Sequence, residues 1–375
     1  MQPIYGAAVA FLVIFSVSLF PMLIRAEAAD SSFKDVYQLT SFGSKPSLSP
    51  DGQEIIFVSY STFGPASYPT EIWSIGVDGS NARLVKKTSD DMQALNIQFS
   101  PSGDRIAYIG EKLDGSRSIF VMDAGGSNTR SLLGMGKTST FIWVSSNSII
   151  YAEQEDEKSV SFWQMSLDSS DAVLLSRISM TNTTRFVVSG NMALTNNNTN
   201  LLFTGFGVGQ GKSDIFSLDL ETRELQKLDG LEDFFIIGLG RDGHTAFVGQ
   251  GGSYSITLYS VDLENPTEKT RLFDGNLSYS VYESPDGGLV VAYAYAPGGS
   301  APFDANEWRK FGVYVACQDG CGTKPAVFSD GYAISNGQYV KSSANDIMIP
   351  ILAAVLIAAG GAGVAIYKKR KCAKK

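Results

Sequence analysis

The phrase Ser49-Pro50-Asp51-Gly52 decides the fold, because it returns as Ser100-Pro101-Ser102-Gly103 and Ser284-Pro285-Asp286-Gly287. Eroded copies stand at Ser145-Ser146-Asn147, Thr195-Asn196-Asn197-Asn198 and Arg241-Asp242-Gly243. Each copy leads at once into an apolar run, such as Ile55-Ile56-Phe57-Val58 or Ile106-Ala107-Tyr108-Ile109. Asp-Gly and Asn-rich turns supply the positive φ of a tight hairpin, so the phrase predicts a repeated β-hairpin corner.

Working outward, the strand after each corner places Phe57, Tyr108, Tyr151, Phe203, Phe247 and Ala292 at one aligned position. The next strand places Trp73, Phe120, Trp163, Phe216, Tyr259 and Tyr314 at another, each preceded by an apolar residue. The second set repeats every 43 to 55 residues, the spacing of four-stranded propeller blades. A lone four-stranded sheet cannot bury both faces, whereas radially packed blades cover one another. Aromatics at the same place in every repeat are therefore expected in the core, not on a binding stripe.

These residues resemble the TolB-type β-propeller repeat. The resemblance is carried by Ser49-Pro50-Asp51-Gly52, by Glu71-Ile72-Trp73, and by Asp78-Gly79-Ser80-Asn81 with Arg83-Leu84. A second unit repeats it with Ile119-Phe120-Val121-Met122-Asp123 and Gly126-Ser127-Asn128-Thr129-Arg130. It implies an all-β, six-bladed propeller over residues 36–340, with seven blades as the alternative. It is expected to cover the propeller only, without the N-terminal α/β domain of TolB proteins before Val36 and without a following peptidase domain. Val36 to Thr40 is expected to complete the last blade, although Ala326-Val327-Phe328 also resembles an outer strand.

The two ends are apolar. Ala7 to Phe20 followed by Ala26-Glu27-Ala28 has the layout of a signal peptide over residues 1–28, with an uncleaved anchor as the alternative. Ile347 to Tyr367 is 21 residues without a charge, enough to span a hydrocarbon core of roughly 30 Å as a helix. Residues 341–346 form a juxtamembrane linker, and the basic tail 368–375 is expected on the cytoplasmic side. The expected location is thus the cell membrane, single-pass, with the propeller outside the cytoplasm. The stretch from Asp30 to Asn345 keeps 23 of the 30 basic and 36 of the 38 acidic residues, a net charge near −13. An acidic exterior argues against nucleic acid as partner.

Chemistry is sparse. Cys317 and Cys321 flank a short Gln-Asp-Gly turn and are expected to form a disulfide in an oxidising exterior. One histidine is too few for a typical zinc site, so neither a metal nor a cofactor is expected. No serine has the Gly-x-Ser-x-Gly flanks of a hydrolase elbow, and His244 is expected as a surface turn residue. Gly205 to Ser213 lacks phosphate-loop spacing, and Glu153 to Glu157 lacks the ligand spacing of a Ca²⁺ loop. Asn182, Asn197 and Asn276 head glycosylation sequons.

The strongest functional signal is loop length. Second and third strands are joined over 12 or 13 residues in blades two to five, but over 16 in blade one and 22 in blade six. These neighbouring loops are expected to bring Tyr60, Phe63, Tyr68, Phe303 and Trp308 to one face as an aromatic ligand-binding rim. Bracing of the ring seam is the alternative. The function expected is a membrane-tethered interaction module for an extracytoplasmic protein, peptide or glycan. An envelope polysaccharide lyase or glycosidase with acidic channel residues is a second reading. A structural surface protein, oligomerised through Ala354, Ala358 and Ala362, is a third.

Overall fold

The structure, a computed structural model, describes residues 33–60, 70–134, 136–169, 171–180, 185–195, 197–208, 212–252, 255–275, 277–295, 312–322, 324–328, 332–335 and 338–341. It contains six four-stranded antiparallel sheets and one separate hairpin. The sheets are the blades of a six-bladed β-propeller. Their inner strands are Ser44–Leu48, Met92–Phe99, Thr138–Ser145, Arg185–Leu194, Phe234–Leu239 and Leu277–Glu283. The signal peptide and membrane segment read from the sequence lie outside the described residues. Among the described residues no helix is long and apolar enough to cross a membrane.

The ring closes with the first strand of the domain. Asp35–Gln38 pairs antiparallel with Gly312–Cys317 and becomes the outer strand of blade six. Ala326 to Phe328 is not an outer strand; Phe328 makes only an isolated parallel bridge to Thr40. Tyr332–Ser335 and Gln338–Lys341 pair with each other, outside the six blades.

The repeated corners owe their shape to hydrogen bonds within the phrase. Ser49 Oγ donates to Asp51 Oδ1 at 2.6 Å and accepts the Glu54 amide at 2.9 Å, while the Gly52 amide donates to the Ser49 carbonyl. Gly52 is needed twice over. Its φ of +70° is left-handed, and a Cβ there would lie 2.3 Å from the Tyr282 ring of blade six. Corner hydroxyls hold three carboxylates below the usual aspartate range: Ser49 on Asp51, Ser102 then Ser100 on Asp104, and Ser284 on Asp286.

Most of the aligned aromatics are buried, as their periodicity predicts, and Phe120, Trp163, Tyr259 and Tyr314 are half-buried against the core clusters. Phe57 and Phe203 are fully buried, and Trp73, Tyr108 and Phe216 nearly so. In blades one to four the aligned pairs face each other across the strands: Phe57 and Trp73, Tyr108 and Phe120, Tyr151 and Trp163, Phe203 and Phe216. Two corrections apply. In blade six it is Tyr293, not Ala292, that faces Tyr314, and the rings stack 5.3 Å apart. In blade five the strands are offset by one residue, so Tyr259 faces Val248. Burial also lifts the hydroxyls of Tyr108 and Tyr151 to a pKa of about 12.

The seam between blades six and one carries a clasp. Cys317 and Cys321 are disulfide-bonded, as expected, with Cα atoms 5.4 Å apart. The Cys321 amide donates to Asp35 Oδ2 at 3.0 Å, and just beyond the disulfide loop the Gly322 carbonyl accepts the Tyr37 hydroxyl. Beyond it, Pro325 abuts Gly79 of blade one, and the Phe328 ring packs against Phe42 and Trp73. The loop thus ties the closing strand to both neighbours.

Two outcomes are expected. Cys321→Ser should remove roughly 2 kcal/mol by the loop-entropy relation, lowering the calorimetric midpoint by several degrees. Amide exchange should then speed up first in Asp35–Gln38. Because the corner aspartates titrate low in the folded state, their stabilisation is complete above the ordinary value of 3.8 and is lost as pH falls through the lowered folded values. Replacing Asp51, Asp104 and Asp286 together by Asn should flatten the loss of stability below about pH 4 in acid denaturation followed by circular dichroism.

Candidate functional site: the central channel

Every inner strand contains a bulge or register shift against its neighbour. The irregularities fall between Ser44 and Ser47, Leu95 and Gln98, Thr138 and Thr140, Val188 and Met192, Ile236 and Gly238, and Leu277 and Tyr279. A bulge leaves its extra residue out of the ladder and re-aims it. Here the bulged residues line the axis of the ring. They wall a cavity of about 320 Å³ to which all six blades contribute, including Lys45, Asn96, Ser139, Asn191, Ile237 and Tyr279. A second cavity of about 190 Å³ shares several of these residues and runs on towards Gln98 and Ser280.

The bulges bend the backbone into conformations that ordinary residues avoid. Lys45 has φ +52° and Asn96 φ +43°, whereas the equivalent turn in blade four uses Gly190 at φ +81°. Asparagine tolerates the left-handed region; lysine does so at a cost of about 1–2 kcal/mol. Ser44, at the start of the first bulge, has a buried hydroxyl with no hydrogen-bond partner among the described residues.

Side-chain bonds link blade to blade around the channel. Asn96 Nδ2 donates to Thr140 Oγ1 at 2.8 Å, and Thr140 Oγ1 donates to Gly190 O at 2.6 Å. Asn191 Nδ2 donates to Ile237 O at 3.0 Å, and the Leu48 amide donates to Ser280 Oγ across the seam. Gln98 Nε2 reaches Asn96 Oδ1 and Phe141 O. The channel amides are thus already committed to holding the blades in register.

Charge in the channel is one-sided. Among the described residues lining the two cavities Lys45 is the charged one; the larger cavity is walled mainly by apolar surface, including Leu95, Ile97, Phe235 and Ile237, and the smaller one mainly by polar surface, including Gln98, Asn191 and Ser280. Among the described residues lining either cavity there is no carboxylate. No group of three or more His, Cys, Asp or Glu side chains among the described residues is arranged to hold a metal ion.

Of the residues singled out from the sequence, only some are described. Phe63, Tyr68, Phe303 and Trp308 lie outside the described residues, as do Asn182 and Asn276. Of Tyr60 the backbone is described: it ends the second strand of blade one, opposite Thr70. Since Ser44 pairs with Val58, the strand carrying Tyr60 runs out on the same face as the Lys45 end of the channel. The corners lie on the opposite face. Asn197 is exposed at the blade-four corner, beside Asn198 with φ +51°. His244 is an exposed turn residue, 3.9 Å from Glu264. Within the acidic stretch of blade three, Glu155 pairs with Arg177 at 2.8 Å.

The channel bulges had partial sequence signals. A proline inside a strand, as at Lys45-Pro46, and a glycine inside one, as at Gly190-Asn191, both mark bulges. Nothing local marks Asn96.

No family profile and no curated protein sequence matches this chain. Among solved structures, TolB from Acinetobacter baumannii superposes with a TM-score of 0.50 at 16% identity, over 72% of this chain and 64% of that one. This chain therefore spans just under two thirds of that protein. A TolB-assigned protein from Agrobacterium tumefaciens gives 0.51 at 14% identity, over 75% and 96%. The fold is a TolB-like propeller. An oligogalacturonate lyase solved in complex with manganese is more distant, at TM-score 0.46 and 11% identity over 73% and 77%, and supports no argument about activity.

The bulge geometry makes a direct prediction. Asn96→Val places a β-branched residue at φ +43° and removes the bond to Thr140; urea unfolding should show a loss of about 3 kcal/mol. Asn96→Gly keeps the backbone free and should cost about 1–2 kcal/mol.

Proposed function

We propose that this chain is a membrane-tethered, extracytoplasmic interaction module that docks a protein, peptide or glycan on the propeller face where the inner strands begin. The observation that carries this reading is the cavity of about 320 Å³ walled by all six blades. Its volume falls at the lower end of the roughly 300–1,000 Å³ of ligand pockets, and its mixture of apolar wall and few polar groups suits recognition. The two elongated connections support the same face. Residues 61–69 and 296–311 follow strand ends at Tyr60 and Tyr295, whose pairing with Thr70 and Gly312 puts them at the Lys45 end of their blades.

In this reading Tyr60, Phe63, Tyr68, Phe303 and Trp308 form a rim around the mouth, and the tether is the apolar segment 347–367. Rigid aromatic anchors beside a preformed cavity provide contact area at little entropic cost.

Photo-crosslinking on native membranes tests the module. A crosslinking amino acid placed at position 63 or 303 should capture one defined partner. Phe303→Ala with Trp308→Ala should reduce capture at least tenfold while shifting the melting midpoint by less than 2 °C, a change within the usual range for exposed substitutions. Unchanged capture, or a midpoint lowered by many degrees, would transfer these loops to a bracing role at the seam.

A further inference from the structure

We infer that Asn197 is a modification site, the acceptor of an N-linked saccharide at the blade-four corner, on the propeller face opposite the Lys45 end of the channel. The inference rests on the extracytoplasmic part of the module reading, because such sequons are modified on exported chains. Three observations single out this asparagine.

The first is the corner itself. Blade four builds the same corner as blade one. The Thr195 amide donates to Asn200 O as the Ser49 amide does to Glu54 O, and the Asn198 amide donates to Thr195 O as Gly52 does to Ser49 O. Asn197 therefore stands where Asp51, Asp242 and Asp286 stand in blades one, five and six. Those carboxylates lock their turns. Asp51 accepts Ser49 Oγ and the Gln53 amide, Asp242 accepts the His244 and Thr245 amides, and Asp286 accepts Ser284 Oγ. Asn197 makes no such bond to a described residue, and it is exposed. In blade four the lock has passed to Thr195, whose Oγ1 accepts the Asn200 amide at 3.1 Å and meets Thr199 Oγ1 at 3.2 Å. The amide at position 197 is thereby released from the work its counterparts do.

The second observation is access to the whole recognition unit. The sequon joins an asparagine to a hydroxyl two residues on, and Asn197 and Thr199 are both exposed. The third is room. A cavity of about 380 Å³ opens beside Asn197 between blades four and five, lined by Asn200, Gln226 and His244 together with Leu202 and Leu228. Sugar hydroxyls laid there find hydrogen-bond partners, and the carbon face of a ring finds aliphatic ones.

The reaction is a substitution at an anomeric carbon. Asn197 Nδ2 forms a bond to C1 of a saccharide carried on a lipid phosphate. The bond from C1 to the phosphate oxygen breaks, and the lipid phosphate leaves with the electron pair. The proton lost from the amide passes to solvent. A membrane-bound glycosyltransferase acts on the chain in trans, with the lipid-linked saccharide as co-reactant.

The test takes the full-length chain from native membranes and reads it by mass spectrometry after trypsin. The peptide Phe186–Lys212 contains Asn197 but neither Asn182 nor Asn276, so its mass reports this site alone. Most copies should carry a saccharide, located at Asn197 by electron-transfer fragmentation. Thr199→Ala should abolish the modification and Thr199→Ser should retain it. Asn197→Gln should also abolish it, with the melting midpoint moved by less than about 2 °C, as for an exposed substitution.

An unmodified peptide as the sole form, a saccharide on another residue of it, or one that survives Thr199→Ala would overturn the site. Protease added to intact cells separates this failure from that of the module. A propeller that is cleaved from outside but bare at Asn197 leaves the module and removes the saccharide. A bare propeller protected from protease removes the extracytoplasmic placement on which both rest.

Discussion

The structure depends on closing a ring of sheets that cannot stand singly. Each blade buries its aromatic pair only against the next blade, so a gap at any junction would expose the cores on both sides of it. The junction between the last blade and the first is the vulnerable one, because chain connectivity does not hold it. There the strand Asp35–Gln38 completes the sixth sheet from the other end of the domain. The Cys317–Cys321 loop and Phe328 then bind that strand to blade one. The core cluster at this junction draws Leu39, Phe42, Phe57 and Trp73 together with Val313 and Val315. Closure is therefore a shared property of residues nearly three hundred positions apart.

A closed ring also creates its own axis, and what happens there follows from the same constraint. Six inner strands converge on a line, and regular strands would place their side chains at fixed intervals around it. Bulges break that regularity in every blade, letting extra residues turn inward. Amides placed in this way bind neighbouring blades, as Asn96 does with Thr140 and Asn191 with Ile237. The same geometry leaves a cavity whose described lining is mainly apolar and includes Lys45. Stability of the ring and the shape of its channel thus come from one set of bulges.

The fold was legible in the sequence because its determinants are local and repeated. A Ser-Pro-Asp-Gly corner carries its own hydrogen bonds, as Ser49 and Asp51 show, and needs no distant partner to form. Aromatics buried between blades recur because each blade meets the same packing problem. The errors fell where register, not composition, was at issue. Tyr293 and Ala292 are adjacent and both apolar enough for the aligned position; only the pairing with Tyr314 selects between them. The channel was missed for a related reason, since Lys45 and Asn96 look like ordinary strand residues until six blades set them around one axis.

The sequence by itself determined the repeat, the corners, the aromatic core and the disulfide, because each depends on residues within a few positions of one another or on a pattern repeated along the chain. Tertiary structure decided the rest. Blade number and closure depend on how many twisted sheets fit around an axis before the first strand can meet the last. The juxtaposition of Lys45 with Ile97 and Ile237 exists only once separate blades converge. A corner is a local minimum of backbone and side-chain energy, whereas a channel is a space between distant segments. The first can be read from four residues, and the second has no residues of its own.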